Sequence, residues 1–134
     1  MIGVLIVTHG TIGESLLSSA AQILGEAPAQ AAALGVSRSD DPDRVLERAR
    51  ALVAQLDRGE GVLVLADIFG ATPCNLCVRL LEDGRVEGVS GVSLPMLLRV
   101  LTRREGPLAD AVRRALSGAA EGVVHMNTDR CCDG

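Results

Sequence analysis

At 134 residues, with 48% hydrophobic and 22% charged side chains, the chain is long enough to bury a core and too apolar to be disordered. That core must be aliphatic, because there is one Phe and no Trp or Tyr. The net charge is −4 and all thirteen cations are arginine, which argues against nucleic acid as the main partner, since phosphate backbones demand a positive face.

No apolar run approaches the roughly 18 residues of a membrane-spanning helix. The N-terminus lacks the basic flank and the length of a signal peptide. A cytoplasmic chain with its four cysteines reduced is the expectation.

Ile2–Val7 reads as a short buried strand. His9-Gly10 turns the chain into a first helix ending near Gly25. Thr11 and Glu14 have the spacing of a capping box there. Gln30–Val36 is a weak second strand, because alanine is a poor strand former. Asp41-Pro42 opens a second helix, with Val45, Ala49, Leu52, Val53 and Leu56 on one face and Gly59 as its stop. Gly61–Ala66 is a third strand, apolar on both faces and therefore central. It delivers Asp67, and a small-residue loop leads to Thr72-Pro73, where a third helix starts and runs to about Glu82. Arg85–Val89 is a fourth strand. Ser93-Leu94-Pro95 begins a fourth helix reaching about Arg104, and Pro107–Ala120 is a fifth. Gly122–Met126 reads as a short last strand, and 127–134 as a loose tail.

Alternating strands and helices predict an α/β fold, with a mostly parallel sheet between two layers of helices. The organisation is one domain over residues 1–126 plus the tail.

His9 and Asp67 each follow an apolar strand at its carboxyl end, ahead of a helix start. In open α/β sheets ligands bind there, where strand order reverses. If strands one and three are neighbours, the two residues face each other. A carboxylate accepting from one ring nitrogen fixes the imidazole tautomer and frees the other nitrogen as a nucleophile. Helix-start amides suit phosphate oxygens. The pattern points to a phosphorylatable histidine rather than a hydrolytic triad, as there is no G-x-S-x-G elbow. An ordinary loop histidine and an aspartate that only caps a helix are the plain alternatives, and spacing does not separate them.

Cys74-x-x-Cys77 falls on one face of helix three, where cysteine packs as a small apolar residue; it lacks the Gly-Pro of a redox motif. Cys131-Cys132 with His125 matches no zinc spacing. Arg103-Arg104 and Arg113-Arg114 read as a solvated helix face rather than a basic patch. No metal or cofactor motif appears.

Three separated segments carry a resemblance: Val7-Thr8-His9-Gly10, Leu65 to Asn75 (LADIFGATPCN), and Gly91 to Leu97 (GVSLPML). They resemble the mannose-family enzyme IIA of the bacterial phosphoenolpyruvate-dependent phosphotransferase system. The resemblance implies that His9 accepts a phosphoryl group on Nε2 from the carrier protein HPr and passes it to an enzyme IIB. Asp67 would hold Nδ1–H, while Gly10, Thr11, Phe69, Gly70, Ala71 and Thr72 would surround the phosphate. It further implies a homodimer whose last strand swaps antiparallel onto the partner's sheet. Membrane contact would come only through a transporter complex. A phosphoryl donor subunit of a dihydroxyacetone kinase system, or a regulatory module that binds without transferring, are the rival readings. Neither the sugar nor the acceptor is legible.

Overall fold

The computed structural model describes residues 1–70 and 72–128. Ala71, the residues 129–134 of the expected tail, and Cys131-Cys132 lie outside the described residues. The elements are β1 (Gly3–His9), α1 (Ile12–Leu24), β2 (Ala31–Val36), α2 (Pro42–Leu56), β3 (Val62–Ala66), α3 (Thr72–Val78), β4 (Val86–Ser90), α4 (Leu94–Leu101) and α5 (Leu108–Glu121). The strands form one sheet in the order β2-β1-β3-β4, every pairing parallel.

Strand periodicity splits the core into two layers. Leu5 and Val7 of β1, with Val62, Val64 and Ala66 of β3, pack on α2 and α3. Val4 and Ile6 of β1, with Leu63 and Leu65 of β3, pack on α1, α4 and α5. Hence β1 and β3 are buried on both faces, and their near-continuous aliphatic runs are what a central parallel strand requires.

Several boundaries differ from the sequence reading, each for a local reason. β1 continues to His9 because the ladder with β2 pairs His9 with Val36 and the Gly10 N–H reaches Val36 O at 3.0 Å. α3 stops at Val78 rather than Glu82. Beyond it Arg79 and Leu80 donate three residues back, and the Glu82 N–H is taken by Val86 O. α4 stops at Leu101 rather than Arg104, because the Arg104 side chain turns inward. Gly122–Met126 is not a strand: Gly122 closes α5, and 123–125 has no regular structure. Within this chain it pairs with neither edge strand of the sheet, β2 or β4, and a strand without a ladder leaves its amides unpaired. Among the described residues the sheet therefore has four strands and no antiparallel member.

Arg104 corrects the solvated-face reading. It is buried, and its guanidinium donates to Ile2 O (Nε 3.1 Å, a second nitrogen 2.8 Å), to Gln30 O (2.8 Å) and to Ala29 O. A buried cation is tolerated only with its donors satisfied. These carbonyls serve that need and tie α4's exit to the amino ends of β1 and β2.

Asp57 joins the end of α2 to the amino ends of β3 and β4. Its carboxylate accepts from Gly59 N–H (2.9 Å), Gly61 N–H (3.1 Å) and Arg85 Nε (3.0 Å). The Gly59 hydrogen bond holds its pKa below the ordinary value; burial opposes this, and Gly61 and Arg85 add to the lowering. A carboxylate with a depressed folded pKa stabilises the fold above the unfolded value of about 3.9 and loses that contribution as pH falls through the folded one. Urea unfolding of Asp57→Asn should therefore show a deficit against wild type at pH 7 that closes below about pH 4. A deficit unchanged at pH 3 would contradict this linkage.

Candidate functional site

The parallel pairing of β1 with both β2 and β3 sets Val36, His9 and Asp67 side by side at the carboxyl end of the sheet. β1 and β3 run in register to Val7 opposite Ala66, so Asp67 emerges next to the last residues of β1. This is the switch point of the sheet, where chain order departs to opposite sides of β1.

The Asp67 carboxylate is the acceptor at the centre. One oxygen, Oδ2, takes the His9 backbone N–H at 3.0 Å and lies 2.8 Å from His9 Nδ1; the other, Oδ1, takes Ile68 N–H at 2.9 Å. Partial burial pushes the Asp67 pKa up. The hydrogen bonds from His9 and Ile68 and the His9 charge outweigh it, so the pKa lies below the ordinary carboxylate range. An ionised carboxylate only accepts, so Nδ1 carries a proton, and in the neutral imidazole the Nε2 lone pair is then free. The His9 side chain is 50% exposed against 13% for Asp67, so the ring faces solvent while its partner is held within the fold.

The α1 start differs from the expected capping box. Thr11 sits at φ −100°, ψ 8° and its side chain caps nothing. The cap comes from Thr8, a fully buried strand residue: its Oγ1 accepts Gly13 N–H at 2.8 Å and donates to His9 O at 3.2 Å. The sequence reading gave Thr8 no role. A hydroxyl residue inside an aliphatic run, one position before a histidine, was the available signal. Gly35 was missed as well. A Cβ there would lie 2.1 Å from Gly10 O, so only glycine lets the Gly10 turn, at φ +48°, rest on β2.

The remaining expected site residues spread over two loops. Gly10 and Thr11 form the turn after His9, and Gly70, at φ +87°, closes the loop after Asp67. Thr72 opens α3 and is exposed, while Ala71 lies outside the described residues. Phe69 is 77% exposed and lines a groove of about 340 Å³ along the free edge of β4, with Ala66, Ser90, Val112 and Leu116. The direct contact is between His9 and Asp67; no hydrogen bond joins Phe69 or Thr72 to that pair.

Cys74 and Cys77 are free and buried in the α2–α3 layer. Burial, with Cys74 and Asp67 nearby, pushes the Cys77 thiol up to about 12, so it stays protonated and packs as an apolar group. Among the described residues no cluster of three or more His, Cys, Asp or Glu could hold a metal. No described helix is long and apolar enough to cross a membrane.

The fold is thus an open α/β sheet with an imidazole–carboxylate pair at its switch point, and similarity to known proteins narrows the class. The chain belongs to the family described as the PTS system fructose IIA component, which matches residues 3–117. It is 32% identical over 125 residues to the PTS system mannose-specific EIIAB component of Escherichia coli, covering 91% of this chain and 38% of that protein. It is 34% identical over 106 residues to the PTS system fructose-specific EIIA component of Bacillus subtilis, covering 78% and 72%. Among solved structures, the phosphotransferase system component EIIA from Streptococcus agalactiae superposes with a TM-score of 0.85 at 26% identity, covering 96% and 99%. The chain is thus a member of a phosphotransferase-system IIA family, and it spans under two-fifths of the Escherichia coli relative.

Thr8→Val keeps the shape of the side chain and removes the acceptor for Gly13 N–H. It should cost about 1–2 kcal/mol in urea unfolding and speed hydrogen exchange at the start of α1. Unchanged stability together with unchanged exchange at Gly13 would show that α1 needs no cap from β1.

Proposed function

We propose that this chain is a phosphocarrier: His9 accepts a phosphoryl group from the phosphohistidine of HPr and passes it to an enzyme IIB, in sugar uptake or its control. The 2.8 Å contact between His9 Nδ1 and Asp67 carries the reading, because it leaves Nε2 as the free nucleophilic nitrogen.

The Nε2 lone pair forms a bond to phosphorus. The P–N bond of the donor breaks and its electron pair returns to the donor ring. His9 keeps its Nδ1 proton, so its ring becomes a cation against the Asp67 carboxylate. Asp67 thus stabilises the phosphorylated state electrostatically and fixes the ring for in-line attack. Thr8 holds the Gly13 N–H and Val36 O holds that of Gly10, but the Ile12 and Glu14 amides of α1's first turn have no intrahelical partner and suit the phosphoryl oxygens, as do Thr11, Gly70, Ala71 and Thr72 in the two flanking loops. Phosphoryl exchange between two proteins places the reaction in the cytoplasm, at the membrane only through a transporter complex.

A homodimer completes the reading. Val123 and Met126 are 84% and 78% exposed, and the sheet carries an unpaired β4 edge with an apolar groove along it. Strand exchange would cover all three features and remove an open edge.

His9→Ala should take up no label from phosphoenolpyruvate, enzyme I and HPr, whereas Asp67→Ala should still be labelled, about 10- to 100-fold more slowly. Labelling of the alanine variant at wild-type level would sink the assignment of His9. In analytical ultracentrifugation the protein should sediment as a dimer and Val124→Asp as a monomer; a wild-type monomer at micromolar concentration would refute the exchange.

A further inference from the structure

Four loops leave the carboxyl ends of the strands, spanning residues 10–11, 37–41, 67–71 and 91–93. They contain one cation, Arg38. Its acidic neighbours are engaged elsewhere. Asp40 accepts Ser37 N–H at 2.7 Å. Asp41 caps α2 by accepting Asp43 N–H at 3.1 Å, and its other oxygen lies 4.0 Å from Arg44. The hydroxyls of Ser37 and Ser39 pair with each other at 3.2 Å, making a tight turn around Arg38. Arg38 itself is exposed and makes no hydrogen bond or ion pair among the described residues.

The sheet register brings this turn to the site. Val36 is the β2 partner of His9, and Arg38 follows it by two residues, at most about 7 Å of chain. The Gly10 N–H bond to Val36 O ties the two loops together at their base.

A phosphoryl group on His9 adds close to two negative charges beside the Asp67 carboxylate. Backbone amides offset part of that, and no other cation lies on these loops. We propose that Arg38 swings over His9 and pairs its guanidinium with the phosphoryl oxygens as the group is received. This inference rests on the phosphocarrier reading of His9. The planar fork of arginine matches two phosphoryl oxygens at once, which lysine cannot do. Immobilising a long exposed side chain costs entropy, so Arg38 engages only when the charged group arrives. It exchanges no proton and forms no covalent bond.

The test uses the whole chain, phosphorylated by phosphoenolpyruvate, enzyme I and HPr, with kcat and KM measured separately for acceptance from phospho-HPr. Arg38→Ala should lower kcat about tenfold with an unchanged melting temperature, since the side chain has no partner to lose. Arg38→Lys should recover part of that loss. A kcat equal to wild type in Arg38→Ala overturns the proposal even if KM rises, because the residue would then only help docking. In that outcome wild type still takes up label on His9, so the reading of His9 survives. Absence of label on wild type would overturn both.

Discussion

The site depends on one hydrogen-bonded pair, His9 and Asp67, and that pair depends on β1 and β3 lying side by side in register. The two residues are 58 positions apart in the chain. Parallel pairing brings both strand ends to the same edge of the sheet, and the one carboxylate oxygen accepts from the histidine ring and from its backbone N–H. The ring is therefore oriented by the strand that carries it and by the strand beside it. An imidazole held this way keeps one tautomer and one orientation without being buried.

Magnitudes show which effect leads. One such hydrogen bond is worth about 1 kcal/mol net, somewhat more when charged. Each fully buried aliphatic side chain contributes about 1.5–3 kcal/mol. Val4, Leu5, Ile6 and Val7 with Val62, Leu63, Val64 and Leu65 form an almost solvent-free block. Burial of these strands on two helical layers thus fixes where His9 and Asp67 end up, and the pair has little leverage over the fold. The same block separates the His9–Asp67 end from the opposite end, where Arg104 and Asp57 satisfy carbonyls and amides at the strand starts.

Much of this was legible in the residues because local signals and global packing agree. Aliphatic runs ending in a lone polar residue marked both β1 and β3. Asp41-Pro42 and Ser93-Leu94-Pro95 marked helix starts, and both caps form, from Asp41 to Asp43 N–H and from Ser93 to Met96 N–H. Long-range bonds were not legible. Thr11 looked like the cap of α1, but Thr8 reaches Gly13 from a different element. Arg104 looked like surface charge, but three carbonyls from two distant segments draw it inward. Gly122–Met126 carried a sound β pattern, but a strand also needs a ladder, and within this chain the segment joins neither edge of the sheet.

The residues by themselves establish the α/β class, the aliphatic core and the two chemically distinctive side chains at strand ends. They do so because periodicity and capping act over a few positions. The order β2-β1-β3-β4, the meeting of His9 with Asp67 and the placing of Arg38 two residues past the β2 partner of His9 emerge only in the folded chain. Which strands become neighbours is settled by how two faces of helices bury one sheet, and no local pattern encodes that choice.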